Sequence, residues 1–146
     1  MNEAPASSGA GRQVFSAAAI YFVIVFGVGL VLGPVRVLWL EPWIGRTLAV
    51  LCEAPLLVCA MWLGARWASS WVKLEPGWWR RLAVGLLALA MQQVADLAVG
   101  FGLRGMALSD QIAYFATPPG LIYAATLILF AAMPLIAALQ TPRREI

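Results

Sequence analysis

Histidine is absent from this chain of 146 residues, and cysteine occurs only twice. Without histidine the chain lacks the commonest metal ligand, the usual haem ligand and the usual general base at neutral pH. On one helix, Cys52 and Cys59 would have Cα atoms about 10 Å apart, beyond disulfide reach, and we expect both to be small core residues. We therefore predict no metal site, no cofactor and no catalytic residue, which makes an enzyme the less favoured class of protein.

Charge is also scarce, because charged residues make up 12% of the chain, apolar residues 62%, and the mean hydropathy is +0.84. Soluble domains contain about 25% charged and 45–50% apolar residues. The composition therefore predicts an all-α integral membrane protein, and the short alternating segments of a transmembrane barrel are not seen. The net charge of +3 comes from a few arginines beside apolar runs. That placement indicates a lipid bilayer, and not nucleic acid, as the partner.

Four apolar runs are long enough to cross a bilayer. They predict a four-transmembrane-helix bundle within residues 13–140, with helices at about 14–35, 46–67, 82–103 and 120–139. Residues 1–12 are predicted to form a disordered cytoplasmic tail and residues 141–146 a basic cytoplasmic tail.

The segments between the predicted helices have distinct compositions. Residues 36–45 hold two tryptophans, a glutamate and a proline, which is typical of a short crossing at the membrane interface. Ser109 and Asp110 are placed to cap a short interfacial helix that ends near Phe115. Pro34 is expected to kink or end the first helix.

Basic residues are distributed unequally between the two sides of this map. With four spans, both termini and the middle loop share one side, which carries seven lysines and arginines, whereas the other side carries three: Arg36, Arg46 and Arg104. Because basic residues concentrate on the cytoplasmic side, both termini are predicted to be cytoplasmic.

Ionisable and amide side chains inside the helices are the only indication of function. Glu53 lies about 10 Å and Asp96 about 12 Å below the same surface, counted at 1.5 Å per residue from Arg46 and Arg104. We predict an intramembrane polar cluster in which Arg36 pairs with one acid and Gln92 bonds to the other, which carries a proton at neutral pH. Such a cluster either locks helix register or forms a proton, ion or ligand site.

Small residues recur at four-residue spacing in the first two helices. Gly29 and Gly33 form a GxxxG pattern, and Ala60 and Gly64 form a second small-residue face. Because small residues let helix backbones approach closely, we predict that these four residues pack the two helices together or form an oligomer contact.

A set of short patterns spans nearly the whole chain: Gly29-xxx-Gly33-xx-Arg36, Glu53-x-Pro55, Arg104-Gly105-x-x-Leu108-Ser109, Pro119-Gly120-x-x-Tyr123 and Phe130-Ala131-x-Met133-Pro134. As a set, they resemble a family of short four-helix inner-membrane proteins of proteobacteria, which is uncharacterised. The resemblance implies a multi-pass protein of the bacterial inner membrane. It implies no activity, substrate or catalytic residue.

Two classes of function fit these observations. The first, which we favour, is a non-enzymatic structural or interaction protein whose partner is a second copy or another membrane protein. The second is a small proton- or ion-coupled transporter that acts as an oligomer, with a pathway lined by Glu53 and Asp96. Small multidrug exporters have a similar number of helices, but they carry their essential acid in the first helix, where this chain has none.

Overall fold

The computed structural model describes residues 6–140 of the chain, and side chains from residue 9 onward. This part of the chain is helical, with short connections between elements. The elements in order are α1 (Ala6–Val35), a π-helical turn (Arg36–Leu40), α2 (Glu41–Ile44), α3 (Arg46–Trp71), α4 (Trp78–Gly102), α5 (Leu108–Tyr114) and α6 (Pro118–Leu139).

Four of the helices are long and apolar enough to cross a membrane. They are α1 with its continuation to Ile44, α3, α4 and α6, and their most apolar windows have mean hydropathies of 1.8 to 2.5. The prediction of an all-helical chain with four candidate spans is confirmed, and the helix bounds agree closely at 46, 102 and 139. The predicted tail at residues 141–146 and the first five residues of the N-terminal tail lie outside the described residues.

The start of α1 differs from the expectation, whereas its end agrees with it. The helix starts at Ala6, so residues 6–12 are helical and not a disordered tail. Pro34 lies in the last turn of α1, which ends at Val35 as predicted, and the chain continues as a π-helical turn into α2. The N–H of Glu41 bonds to the carbonyl of Arg36, an i to i+5 bond that brings these two residues onto one face. The predicted crossing at residues 36–45 is therefore helical.

The long helices form a ring in which α1 contacts α3, α3 contacts α6, α6 contacts α4 and α4 contacts α1. Along the helix axes, one half of the bundle is filled by a core of buried residues from all four helices. They are Ala17, Ala18, Tyr21, Val25, Met61, Ala65, Ala68, Val84, Ala88, Phe130, Met133 and Ala137. The core belongs to the half that holds the start of α1 and the end of α6. The other half, near the end of α1 and the start of α6, contains a cavity.

Exposed tryptophans occur at both ends of the bundle. Trp39 and Trp43 lie beyond the end of α1, whereas Trp67, Trp71, Trp78 and Trp79 flank the connection between α3 and α4. Tryptophan is enriched at membrane–water interfaces, so two such groups, one at each end of the long helices, are typical of a membrane-spanning bundle.

A close approach of two long helices involves a glycine outside the predicted small-residue faces. A Cβ built on Gly85 of α4 would lie 1.8 Å from the carbonyl oxygen of Ala131 in α6. Only a residue without a Cβ permits this contact between two backbones. Gly85 therefore sets the spacing of α4 and α6.

The prediction that glycines of both α1 and α3 pack these two helices together holds for the glycine of α3 only. A Cβ on Gly64 would lie 3.3 Å from Ile24 of α1, so this part of α3 is packed closely against α1. At Gly29 and Gly33, however, nothing lies within 4 Å, because both border the cavity. Within this chain these two glycines are not packing residues. Ala60 is half-buried.

The cysteines are also placed differently from the expectation. Cys52 and Cys59 are both exposed on the outer surface of α3, and neither is a core residue. In a helix that is apolar around most of its circumference, composition does not distinguish the side that faces lipid from the side that faces the bundle.

Candidate functional site

A cavity of about 190 Å³ lies between α1, α3, α4 and α6. We call it the central cavity. All four members of the predicted polar cluster line it, and Arg104, Tyr114, Tyr123 and Thr126 add further polar groups. The remaining lining is apolar and includes Val25, Met61 and Phe130, which also belong to the core. The central cavity therefore has polar and apolar walls, and its apolar wall is continuous with the packed half of the bundle.

The first polar group in the cavity is built around Arg36. Its Nε lies 2.8 Å from Oε2 of Glu53, and its Nη1 donates to Oε1 of Glu41 at 3.0 Å. The π-helical turn makes the second contact possible, because it aligns residues five apart on one face. One guanidinium thus holds two carboxylates, and it joins the end of α1 to the start of α3.

The second polar group is built around Asp96 of α4. Nε2 of Gln92 donates to its Oδ1 at 2.9 Å, and the hydroxyl of Tyr123 in α6 donates to its Oδ2. Both carboxyl oxygens therefore accept a hydrogen bond from a neutral donor. Among the described residues no cation lies within ion-pair distance of Asp96, although the charge of Arg104 acts on it.

The mouth of the cavity carries further cations. Arg104 follows the end of α4, and Arg46, at the start of α3, has its guanidinium carbon 5.5 Å from the centre of the Tyr114 ring. Thr117 fixes the start of α6, since its hydroxyl accepts from the N–H of Gly120 at 3.2 Å and donates to the carbonyl of Tyr114 at 2.6 Å. Tyr114 is thereby held beside the cavity.

The predicted cluster is corrected in two respects. Arg36 and Asp96 belong to separate groups on the walls of one cavity, and Arg36 pairs with Glu41 and Glu53. Among the residues that the structure describes, no charged residue is fully buried, and the side chains of Arg36 and Glu53 are 14% and 12% exposed. These side chains are partly exposed because one side of each faces the cavity. The prediction that Gln92 bonds to Asp96 agrees with the geometry.

Sequence reasoning missed the role of Tyr123, which entered only as the last residue of the pattern Pro119-Gly120-x-x-Tyr123. Its position contains a usable signal. Tyr123 is five residues into α6 and thus about 8 Å from the helix start, close to the depth of Asp96 in the neighbouring antiparallel helix. A tyrosine hydroxyl at the depth of an intramembrane acid is a candidate hydrogen-bond donor to it.

The short helix α5 begins at Leu108 with Ala107 at its N-cap, so Ser109 and Asp110 lie inside the helix and not at the predicted N-cap position. Asp110 lies in its first turn, and its Oδ2 accepts from the N–H of Ala107 at 3.2 Å. The helix ends at Tyr114, one residue before the predicted end. Within the described residues no group of three metal-binding side chains is found.

Comparisons of this chain with models of known protein families, with curated proteins and with solved structures find no match. The central cavity is therefore interpreted from its own chemistry.

Proposed function

We propose that this chain is a small multi-pass protein that acts by binding a small amphipathic molecule in the central cavity, and not by catalysis. The observation that carries the proposal is a single cavity, between candidate membrane spans, with charged and hydrogen-bonding groups on one wall and core side chains on another. Concave sites that combine apolar walls with a few convergent polar groups are typical of ligand sites.

The charges that line the cavity indicate the kind of polar end that it would accept. Arg36 and Arg104 line the cavity, and their charges are balanced by Glu53 in the cavity wall and by Glu41, which pairs with Arg36. A ligand with a net charge would upset this balance in a region of low dielectric, which is costly. We therefore infer a zwitterionic or neutral polar end that both donates and accepts hydrogen bonds.

The test fills the cavity without disturbing the fold. Nothing lies within 4 Å of a Cβ at Gly29, which borders the cavity, or at Gly27, which is exposed on the outer side of the same helix. Gly29→Leu is expected to remove binding of a short-chain phosphocholine, measured by native mass spectrometry, whereas Gly27→Leu keeps it. The difference between the two variants is expected to be smaller for matched anionic and cationic amphiphiles. Equal binding by both variants, or no binding by the wild-type protein to any of the three, would contradict the proposal.

A second candidate function is a proton- or ion-coupled transporter that acts as an oligomer. The observation that favours it is the unequal pairing of the two acids. Glu53 has a cation at 2.8 Å, whereas Asp96 has neutral donors on both oxygens and is the acid better suited to gain and lose a proton. In proteoliposomes with a pH gradient, a transporter would dissipate the gradient, and Asp96→Asn would abolish this flux while Glu53→Gln would not.

We also propose the location and the partners. The protein lies in a bacterial inner membrane with both termini in the cytoplasm, supported by the seven-to-three distribution of basic residues. The bilayer covers the large apolar side chains of the long helices, such as Val23, Val94 and Ile128, each at least 62% exposed. The protein's further partner is a second copy or another membrane protein.

A further inference from the structure

A second concavity, of about 230 Å³, lies at the opposite end of the bundle from the mouth of the central cavity. It is lined by Arg66, Ser69 and Ser70 near the end of α3, by Arg81 near the start of α4 and by two alanines. We call it the basic pocket. Two guanidinium groups and the hydroxyl of Ser69 are donors that suit a phosphate group, whereas the hydroxyl of Ser70 already donates to the carbonyl of Trp67 at 2.9 Å.

The arginines of this pocket have no acidic partner within ion-pair distance among the described residues. The ion pairs found in the described part of the chain involve Arg36 and Arg80, and none involves Arg66 or Arg81. Arg80, the immediate neighbour of Arg81, is paired with Glu75 and does not line the pocket. Because two unneutralised cations face one concavity, its occupant is an anion.

An apolar groove adjoins the basic pocket. It has a volume of about 540 Å³ and is lined by residues of α3 and α6, among them Val58, Cys59, Leu63 and Leu129. We call it the acyl groove. Trp62 lines the groove, and the guanidinium carbon of Arg66 lies 4.7 Å from the centre of its ring. This cation–π contact lies where groove and pocket meet. Nε1 of Trp62 donates to Oε1 of Gln140 at 2.8 Å, which fixes the ring in place.

We propose that the basic pocket and the acyl groove together bind one anionic phospholipid. The phosphate contacts Arg66 and Arg81, and one acyl chain lies in the groove between α3 and α6. The occupant is identified by two complementary features, a basic pocket and an apolar groove that starts beside it. Basic pockets between membrane helices are known sites for acidic lipid headgroups. This site is separate from the central cavity and does not depend on the function proposed for it.

The test uses the full chain in mild detergent and measures lipid binding by native mass spectrometry. Wild-type protein is expected to bind dioleoyl phosphatidylglycerol more tightly than dioleoyl phosphatidylcholine. Arg66→Gln with Arg81→Gln is expected to weaken phosphatidylglycerol binding about thirtyfold, or about fivefold for each arginine. The matched control, Lys73→Gln with Arg80→Gln, removes two charges from the same end outside the pocket and is expected to leave binding unchanged.

Two further arms distinguish the lipid from a free phosphate. Cys59→Trp places a large side chain in the acyl groove and is expected to weaken phosphatidylglycerol binding. Glycerol phosphate, which has no acyl chain, is expected to bind weakly to all variants. If the two double variants lose phosphatidylglycerol binding to the same extent, the binding depends on general surface charge and the proposal is overturned. Glycerol phosphate that binds as tightly as the lipid would also overturn it. If the double variant does not fold, Arg66→Gln is assessed alone, because Arg66 is exposed.

Discussion

The hydroxyl of Tyr21 donates a hydrogen bond of 2.8 Å to the main-chain carbonyl of Phe130, across the centre of the bundle. In an uninterrupted helix this carbonyl would accept from the N–H of residue 134, but Pro134 has none. Tyr21 thus supplies from α1 the donor that the proline removes from α6. The two rings stack with centroids 4.6 Å apart and lie below the apolar wall of the central cavity.

The first prediction tests this substitution of one donor for another. Tyr21→Phe is expected to lower the free energy of unfolding by about 1–3 kcal/mol, because it leaves a buried carbonyl without a donor. In a Pro134→Ala background, where residue 134 again has an N–H, the same change is expected to cost much less. Thermal unfolding in mild detergent, followed by circular dichroism, measures both. An equal cost in the two backgrounds would show that the proline is not the reason for the bond.

The second prediction concerns the contact of α4 with α6. Gly85→Ala is expected to destabilise the bundle by about 1–3 kcal/mol or more, because the new methyl group meets the backbone of Ala131, which cannot rotate away. Gly102→Ala in the same helix meets nothing within 4 Å and is expected to change stability by less than about 1 kcal/mol. Detergent unfolding curves that coincide for the two variants would contradict this account of Gly85.

These two contacts show what the sequence could and could not reveal. The four long helices can be predicted from the lengths of the apolar runs alone, because a helix must be that long to cross a bilayer. Their predicted bounds are close. The sequence does not reveal which helix packs against each face. The GxxxG spacing of Gly29 and Gly33, which contact no helix, is the same as the spacing found at a helix–helix contact. Gly85 has no small partner four residues away, and its contact is a backbone carbonyl that carries no sequence signal.

The site was predictable to the same extent. Depth counting placed Glu53 and Asp96 near one level, and both line one cavity together with Arg36 and Gln92. Which acid pairs with Arg36 depends on the π-helical turn, and the π-helical form of that turn was not part of the expectation. Because this turn brings Glu41 beside Arg36, the arginine serves two acids of α2 and α3, and Asp96 is left to Tyr123.

The third prediction concerns Arg36. Arg36→Gln is expected to be more destabilising than either Glu53→Gln or Glu41→Gln, because it leaves two carboxylates near one another without a counter-charge. We expect a loss of about 1–3 kcal/mol, since the side chains are partly exposed to the cavity. Unfolding in mild detergent at neutral pH measures the order of the three variants. A stability for Arg36→Gln equal to that of the wild-type protein would mean that the ion pairs do not hold α1 to α3.

The fourth prediction identifies the acid that carries a proton at neutral pH. Glu53 has Arg36 as a counter-charge, whereas Asp96 has only neutral hydrogen-bond partners, so Asp96 is the expected one. Infrared difference spectra are expected to contain a protonated carboxyl band that disappears in Asp96→Asn and persists in Glu53→Gln. If the band disappears in the second variant only, the assignment is reversed. If it is absent from the wild-type spectrum, the transporter candidate loses its support.

The fifth prediction is the orientation in the membrane. A reporter that is active only in the periplasm is expected to be silent when fused after Ile146 and active when inserted near Asp110, in α5. The reason is the excess of basic residues at the end of the bundle that holds both termini. A cytoplasm-active reporter at the same two positions is the matched control and is expected to give the opposite pattern. Activity of the periplasmic reporter after Ile146 would reverse the orientation.

The candidate spans differ widely in length, and this has a consequence for the surrounding lipid. The continuous segment Gly9–Ile44 has 36 residues and would extend about 54 Å along its axis, whereas α6 has 22 residues and would extend about 33 Å. The hydrocarbon core of a bilayer is about 30 Å thick, so α6 matches it and the first segment exceeds it. Residues 14–35 of that segment contain no charged residue and would extend about 33 Å, so this part alone matches the core as α6 does. The helical turns before and after it carry Arg12, Arg36 and Trp39 and would stand in the headgroup region. The first helix is therefore expected to be anchored in the headgroups at both of its ends.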